Sequence, residues 1–393
     1  MSRKIIYPAA PPVTVLLDPA DDAAVTRAAL AAHHPAAGRI TVHPTPAASG
    51  AALALDILAA LGKPTELPGD WGKHGPPAWN IAAAWILALP HTRLTVLRTH
   101  LLDEKSWSAL LTLRRRTGVH LVAVCHTRRP SAAMRTALRD IEHHTVSTDH
   151  DPGDLLAEAP TMPAPRRGAE SRWITVPALA YLDSHQDFPA CHCTPPPAPR
   201  PYVPERAYSI DQLAHRLATR TAYPQLAAAL ATAVFTGAPL AQLYTVRAAH
   251  LDADATTLTL HDRYRSRRPG FVTDCGAFTV PTWAQPFLLA AANLVHLSPR
   301  GDDSLFFNGP PRTLMRLTEF AEHCRLRPPQ PAPSWPRPRT RRKKKPGPPT
   351  IQWYNGINMP GLEYVSYEQW LHSGGWKPAP TRRSTRPGGT GPR

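Results

Sequence analysis

Between residues 10 and 185, short apolar runs alternate with longer stretches whose apolar positions recur at helical spacing. Residues 14–17 (TVLL), 39–43 (RITVH), 94–98 (LTVLR) and 119–124 (VHLVAV) are rich in aliphatic and β-branched residues, the signature of buried strands. The stretch 18–23 (DPADDA) carries capping carboxylates and starts a helix that ends near His33. Further helices are predicted over 51–61, 79–89, 103–116 and 131–143. Strands that alternate with helices of this length point to an α/β domain with a parallel sheet.

The pattern changes after residue 205. A helix, a tight Thr236–Gly237 break and a second helix span 229–252, followed by a strand at 254–260. A basic turn at 262–268 (DRYRSRR) separates it from a returning strand at 277–281, and a helix follows at 282–293. A short apolar stop lies at 303–307 (DSLFF). This block, 205–327, is predicted to be mainly α-helical with one small β-hairpin.

Proline sets the boundaries. The chain has 47 Pro in 393 residues, and each one removes a backbone donor and fixes φ. The run 186–204 is predicted as an extended Pro-rich linker after the α/β block of 1–185. A second Pro-rich linker, 328–349, is basic and reads as disordered. A small aromatic island at 350–377 and a disordered tail at 378–393 complete the division.

Charge narrows the class of partner. The net charge is +16, of which residues 1–200 contribute +3 and residues 201–393 contribute +13. Residues 328–393 alone carry +10. Such a balance selects polyanions, and nucleic acid is the simplest. The expected contacts are Arg263, Arg265, Arg267 and Arg268 in the basic turn, and Arg339, Arg341, Arg342, Lys343, Lys344 and Lys345 in the second linker. Clustered cations of this kind neutralise phosphates without reading sequence; Trp353 and Tyr354 just beyond either stack on exposed bases or pack within a small folded island. Five cysteines are too few for a disulfide framework, and no run of 18 apolar residues exists. The N-terminal MSRKIIYPAAPP lacks a signal-peptide core. The expectation is a cytoplasmic protein, associated with the nucleoid if it binds DNA, with no membrane partner.

Other candidate chemistry is weaker. Cys191-His192-Cys193 with His185 is too tightly spaced for an ordinary zinc knuckle, so no metal is expected. The segment 126–129 (HTRR) reads as a polar loop at the carboxyl end of a strand, which is where ligands bind in α/β sheets. His143 and His144 are read as ending a helix. The pair Asp103–Glu104 is read as first-turn acids of the helix over 103–116.

The first block resembles the P-loop ATPases of the AAA-like class, through the strand, loop and helix order of residues 40–55. The resemblance implies a glycine-rich phosphate loop with a Lys followed by Ser or Thr. In this sequence those positions hold Gly50 and Ala51, and the preceding glycines read as Pro44, Ala47 and Ser49. The strand at 94–100, where the family has acidic metal-site residues, ends in Arg98 and Thr99. The implied domain is non-hydrolytic and needs no cofactor.

The second block is similar to the catalytic domain of the tyrosine recombinases (phage-type integrases) over residues 225–308. The family's phosphate-clamping Arg after Thr-Gly-x falls on Pro239. His323 to Arg327 does not reproduce the family's His-x-x-Arg spacing, and no Gly-His motif precedes Tyr354, Tyr364 or Tyr367. The combined reading is a DNA-binding protein of a mobile or plasmid-like element without catalytic residues, DNA being favoured over RNA. The alternatives are a divergent active recombinase using Tyr364 or Tyr367, and an assembly partner that engages other proteins through its Pro-rich segments.

Overall fold

The computed structural model describes residues 9–46, 50–64, 77–89, 91–148, 173–182, 199–200, 208–261, 276–298, 303–306 and 312–327. The chain divides into two compact units, residues 1–329 and 330–393, and all described residues belong to the first.

The apolar runs of the first block form the strands β1 (Val13–Leu17), β2 (Arg39–Val42), β3 (Arg93–Val96), β4 (His120–Cys125) and β5 (His143–Ser147). They assemble in the order β2-β3-β4-β1-β5, and every pairing is parallel. Helices α1 (Ala23–Ala31), α2 (Gly50–Ala60), α3 (Ala78–Ala88), α4 (Glu104–Thr117) and α5 (Ala132–Leu138) connect them. The predicted helix over 131–143 stops at Leu138 instead. His143 and His144 open an edge strand, because the ladder offered by β1 satisfies their backbone groups.

The two faces of the sheet bury different partners. On one face Val25 and Ala29 of α1 pack against Leu16, Val122, Val124 and Leu97. On the other, residues such as Val13, Val15, Val96 and Ala123 join a larger core with α2, α3, α4 and α5. Helix α3 is apolar on nearly all sides and is buried on nearly all sides, as such a helix must be.

The second block supplies α6 (Ile210–Arg220), α7 (Pro224–Thr236), the one-turn α8 (Leu240–Leu243), α9 (Gln285–Leu297) and α10 (Arg312–His323). Its hairpin is β7 (Thr257–Leu260) paired antiparallel with β8 (Gly276–Thr279). A two-residue strand β6 (Pro199–Arg200), at the end of the predicted linker, lies parallel to β8. Helix α3 packs on α9 and α7, so the core continues from the sheet into this helical part. The result is an α/β sheet domain and a mainly helical portion with a small hairpin.

Candidate functional site

The sheet's centre carries the most unusual chemistry. The order β2-β3-β4-β1-β5 sends the β1–β2 connection across the sheet in one direction and the β4–β5 connection in the other. The loops after β1 and β4 lead to helices on opposite faces, and the carboxyl ends of two such strands are the general location of ligand sites in open α/β sheets.

Asp18, the first residue after β1, is completely buried. Its amide donates to the carbonyl of Cys125 at 2.9 Å, which ties the loop to the end of β4. Its Oδ2 accepts the Asp22 amide at 2.9 Å and stands 2.9 Å from His126 Nδ1. Asp21 reaches the same nitrogen from the other side, Oδ1 to Nδ1 3.1 Å. That approach uses a left-handed backbone, φ +51° at Asp21, a conformation costly for residues with a Cβ. Strand β3 contributes Arg98, also left-handed at φ +50°, whose Nη2 lies 3.3 Å from Asp21 Oδ1. The cluster therefore draws on the carboxyl ends of three neighbouring strands.

Its surroundings are equally specific. Thr99 donates its hydroxyl to the carbonyl of Val124 at 3.0 Å, and the His100 ring stands edge-on to that of His126, centroids 6.3 Å apart. Burial, with His126 and Arg98 beside it, holds the His100 imidazole below its ordinary pKa against the opposing pull of Asp21. Three buried atoms here lack a hydrogen-bond partner among the described residues: Asp18 Oδ1, His100 Nδ1 and His126 Nε2. Asp18, Asp21 and His126 place one potential ligand atom each within 4.8 Å of one another.

This arrangement suits cations better than phosphates. Three carboxylates lie within five residues, and the Asp22 side chain accepts the Ala24 amide at 2.7 Å. The N-terminus of α1, which would otherwise be available to an anion, is thus capped by the protein's own carboxylate. A separate cavity of about 740 Å³ lies between α4 and α5, lined in part by Leu111, Arg115, Ala137 and Ile141, and includes none of these residues.

The expected phosphate loop lies elsewhere. Strand β2 is at the sheet's edge. Pro44 follows it and Gly50 and Ala51 begin α2, while Ala47 and Ser49 lie outside the described residues. Strand β3 stops at Val96, so Arg98 and Thr99 lie just beyond it, and Asp103, expected within the first turn of α4, is instead its N-cap and accepts the Ser106 amide at 2.8 Å. Gly237 closes α7 in a left-handed conformation, and Pro239 is the N-cap residue just before α8.

Arg263, Arg265, Arg267 and Arg268 belong to the connection between β7 and β8, outside the described residues. So do Arg339, Arg341, Arg342, Lys343, Lys344 and Lys345, as well as His185, Cys191–Cys193, Tyr354, Tyr364 and Tyr367. His126 was legible in the sequence as a polar residue at a strand end. Asp18 and Asp21 were legible only as helix-capping acids, and nothing in the spacing pairs them with a histidine more than a hundred residues away.

No protein-family model matches the chain, and no curated protein does.

Proposed function

We propose that the protein binds DNA along the phosphate backbone, without cleaving it, through the basic turn at 263–268 and the cationic run at 339–345. The observation that carries this reading is where the charge lies: residues 1–200 hold +3 of the net +16, and residues 328–393 hold +10. A chain with a near-neutral sheet domain and concentrated cationic segments confines its counterion-releasing contacts to those segments.

Two further observations favour binding over chemistry. The position where the recombinase resemblance implies a phosphate-clamping Arg is Pro239, whose side chain cannot donate a hydrogen bond. In the sheet domain, the acidic loop after β1 opposes polyphosphate. DNA is the favoured nucleic acid because the recombinase resemblance implies a duplex DNA partner.

The test is a paired titration of a labelled DNA duplex with the full chain and with a variant carrying Gln at 341–345. Loss of tenfold or more in affinity in the variant supports the proposal. Equal affinity removes the cationic run from the interface. Covalent protein–DNA adducts that disappear in Tyr364→Phe or Tyr367→Phe would favour the divergent recombinase instead.

A further inference from the structure

We propose that Asp18, Asp21 and His126 bind a divalent first-row transition-metal ion at the carboxyl end of β1 and β4. The site does not depend on the DNA-binding reading.

The geometry is that of a ligand set. Ligand atoms each about 2.1 Å from one ion are separated by about 3.0 Å at a right angle and about 3.4 Å at the tetrahedral angle. His126 Nδ1 stands 2.9 Å from Asp18 Oδ2 and 3.1 Å from Asp21 Oδ1, so small outward shifts admit an ion between them. The carboxylates supply two negative charges, which match a divalent cation.

The second observation is independent of the cluster's acidity. Asp18 is 0% exposed, and its Oδ1 has no hydrogen-bond partner among the described residues. A buried carboxylate oxygen is retained without a partner only at considerable cost. An ion held by this carboxylate would supply that partner, either through Oδ1 directly or by taking both oxygens. His126 is 6% exposed, so its Nδ1 is presented to the carboxylates inside the protein.

The donor types select the metal. Hard oxygen-only sites favour Mg²⁺ and Ca²⁺, whereas an imidazole beside carboxylates favours zinc and its neighbours. Arg98, 3.3 Å from Asp21 Oδ1, neutralises Asp21 in the metal-free arrangement. On binding, that carboxylate exchanges its guanidinium for the ion, or meets the ion with its other oxygen. Asp22 N–H remains on Asp18 Oδ2 as a supporting contact that orients the ligand.

The test uses the full chain, stripped with chelator and dialysed against Zn²⁺, followed by metal analysis and calorimetric titration. Two variants accompany it: His126→Gln, and Asp21→Asn, whose side chain is half exposed and can change without disturbing the core. Comparing wild type with variants cancels any Zn²⁺ taken up by other histidines and cysteines. The expected result is one more Zn²⁺ per wild-type chain than per variant chain, with affinity at this site weakened at least tenfold by Asp21→Asn. A Zn²⁺-dependent rise in melting temperature should appear in wild type and be absent from Asp21→Asn. Excess Mg²⁺ should not displace the ion. Equal stoichiometry and affinity in wild type and Asp21→Asn would overturn the proposal, and displacement by Mg²⁺ would overturn the assignment of an imidazole ligand.

Discussion

Trp85 of α3 donates its indole N–H to the backbone carbonyl of Ala222, 2.7 Å away in the turn between α6 and α7. The two residues come from the sheet domain and the helical part, and both are buried. The Trp85 ring also meets Phe287 of α9 edge to face, centroids 6.1 Å apart. One side chain thereby links α3 to α9 and to the α6–α7 turn across the junction. Trp85→Phe keeps most of the ring's apolar surface but leaves the Ala222 carbonyl without its donor. The expected loss is about 1–3 kcal/mol, read from urea unfolding as a lower midpoint with an unchanged slope.

Lys63, in the loop after α2, sits beside the same tryptophan. Its Nζ lies 3.7 Å from the Trp85 ring centroid and donates to the carbonyl of Ala218 at 3.0 Å. Burial lowers this amine from its ordinary 10.5 to about 7. The unfolded chain therefore binds the Lys63 proton between pH 7 and 10.5 while the folded chain does not, so this residue's contribution to stability rises with pH across that window. From pH 7 to 9, wild type should gain on the order of 2 kcal/mol relative to Lys63→Met, since one pKa unit is about 1.4 kcal/mol. Unfolding midpoints of both proteins at the two pH values check this.

His91 acts in the same direction at lower pH. Burial, with Lys63 and His33 nearby, lowers it to about 4. In the unfolded chain it protonates near 6.5, so its contribution to stability falls as pH drops from 6.5 towards 4. A His91→Gln variant should lose less stability than wild type across that interval in the same unfolding assay.

Arg216 is a charged residue held in the core, 1% exposed. Its Nη1 donates to the carbonyls of Cys324 at 3.4 Å and Arg325 at 3.2 Å, which follow the end of α10. A guanidinium at a helix C-terminus satisfies carbonyls that the helix cannot. Arg216→Met should cost about 2–3 kcal/mol, the scale of hydrogen bonds to a charged group. Burial raises the Cys324 thiol well above its ordinary pKa, so native Cys324 should resist alkylation. Peptide mapping after iodoacetamide should show faster Cys324 labelling in Arg216→Met than in wild type.

Gly237 closes α7 at φ +70°, and a Cβ there would meet nothing within 4 Å. The cost of Gly237→Ala is therefore conformational alone, about 1 kcal/mol. Thermal unfolding should show a modest loss of stability, and a neutral result would mean that the turn readjusts.

The alternation of apolar runs and helices was legible because each buried strand or helix carries its own pattern. Asp22 was readable as a cap, and Asp103 as an acid at the start of its helix, for the same reason: such a carboxylate reaches only a few residues along its own helix. Strand β5 was not readable, since HHTVS at the sheet's edge is exposed or half-buried and takes its conformation from β1. The Asp18–His126 contact was hidden for a different reason. Only the closure of β1 beside β4 brings those residues together, and that pairing leaves no local mark on either segment. Lys63 likewise gives no signal in the sequence, because its burial against Trp85 depends on how α2, α3 and α6 meet.

The most direct test of the central claim is the salt dependence of DNA binding by the full chain. If the cationic segments carry affinity by neutralising phosphates, log K falls linearly with log salt, by about 0.9 per phosphate contact. Wild type should show a steep negative slope, and replacing the five residues 341–345 by Gln should make it shallower by about 4. Absence of binding at low salt, or the same slope in both proteins, would contradict it.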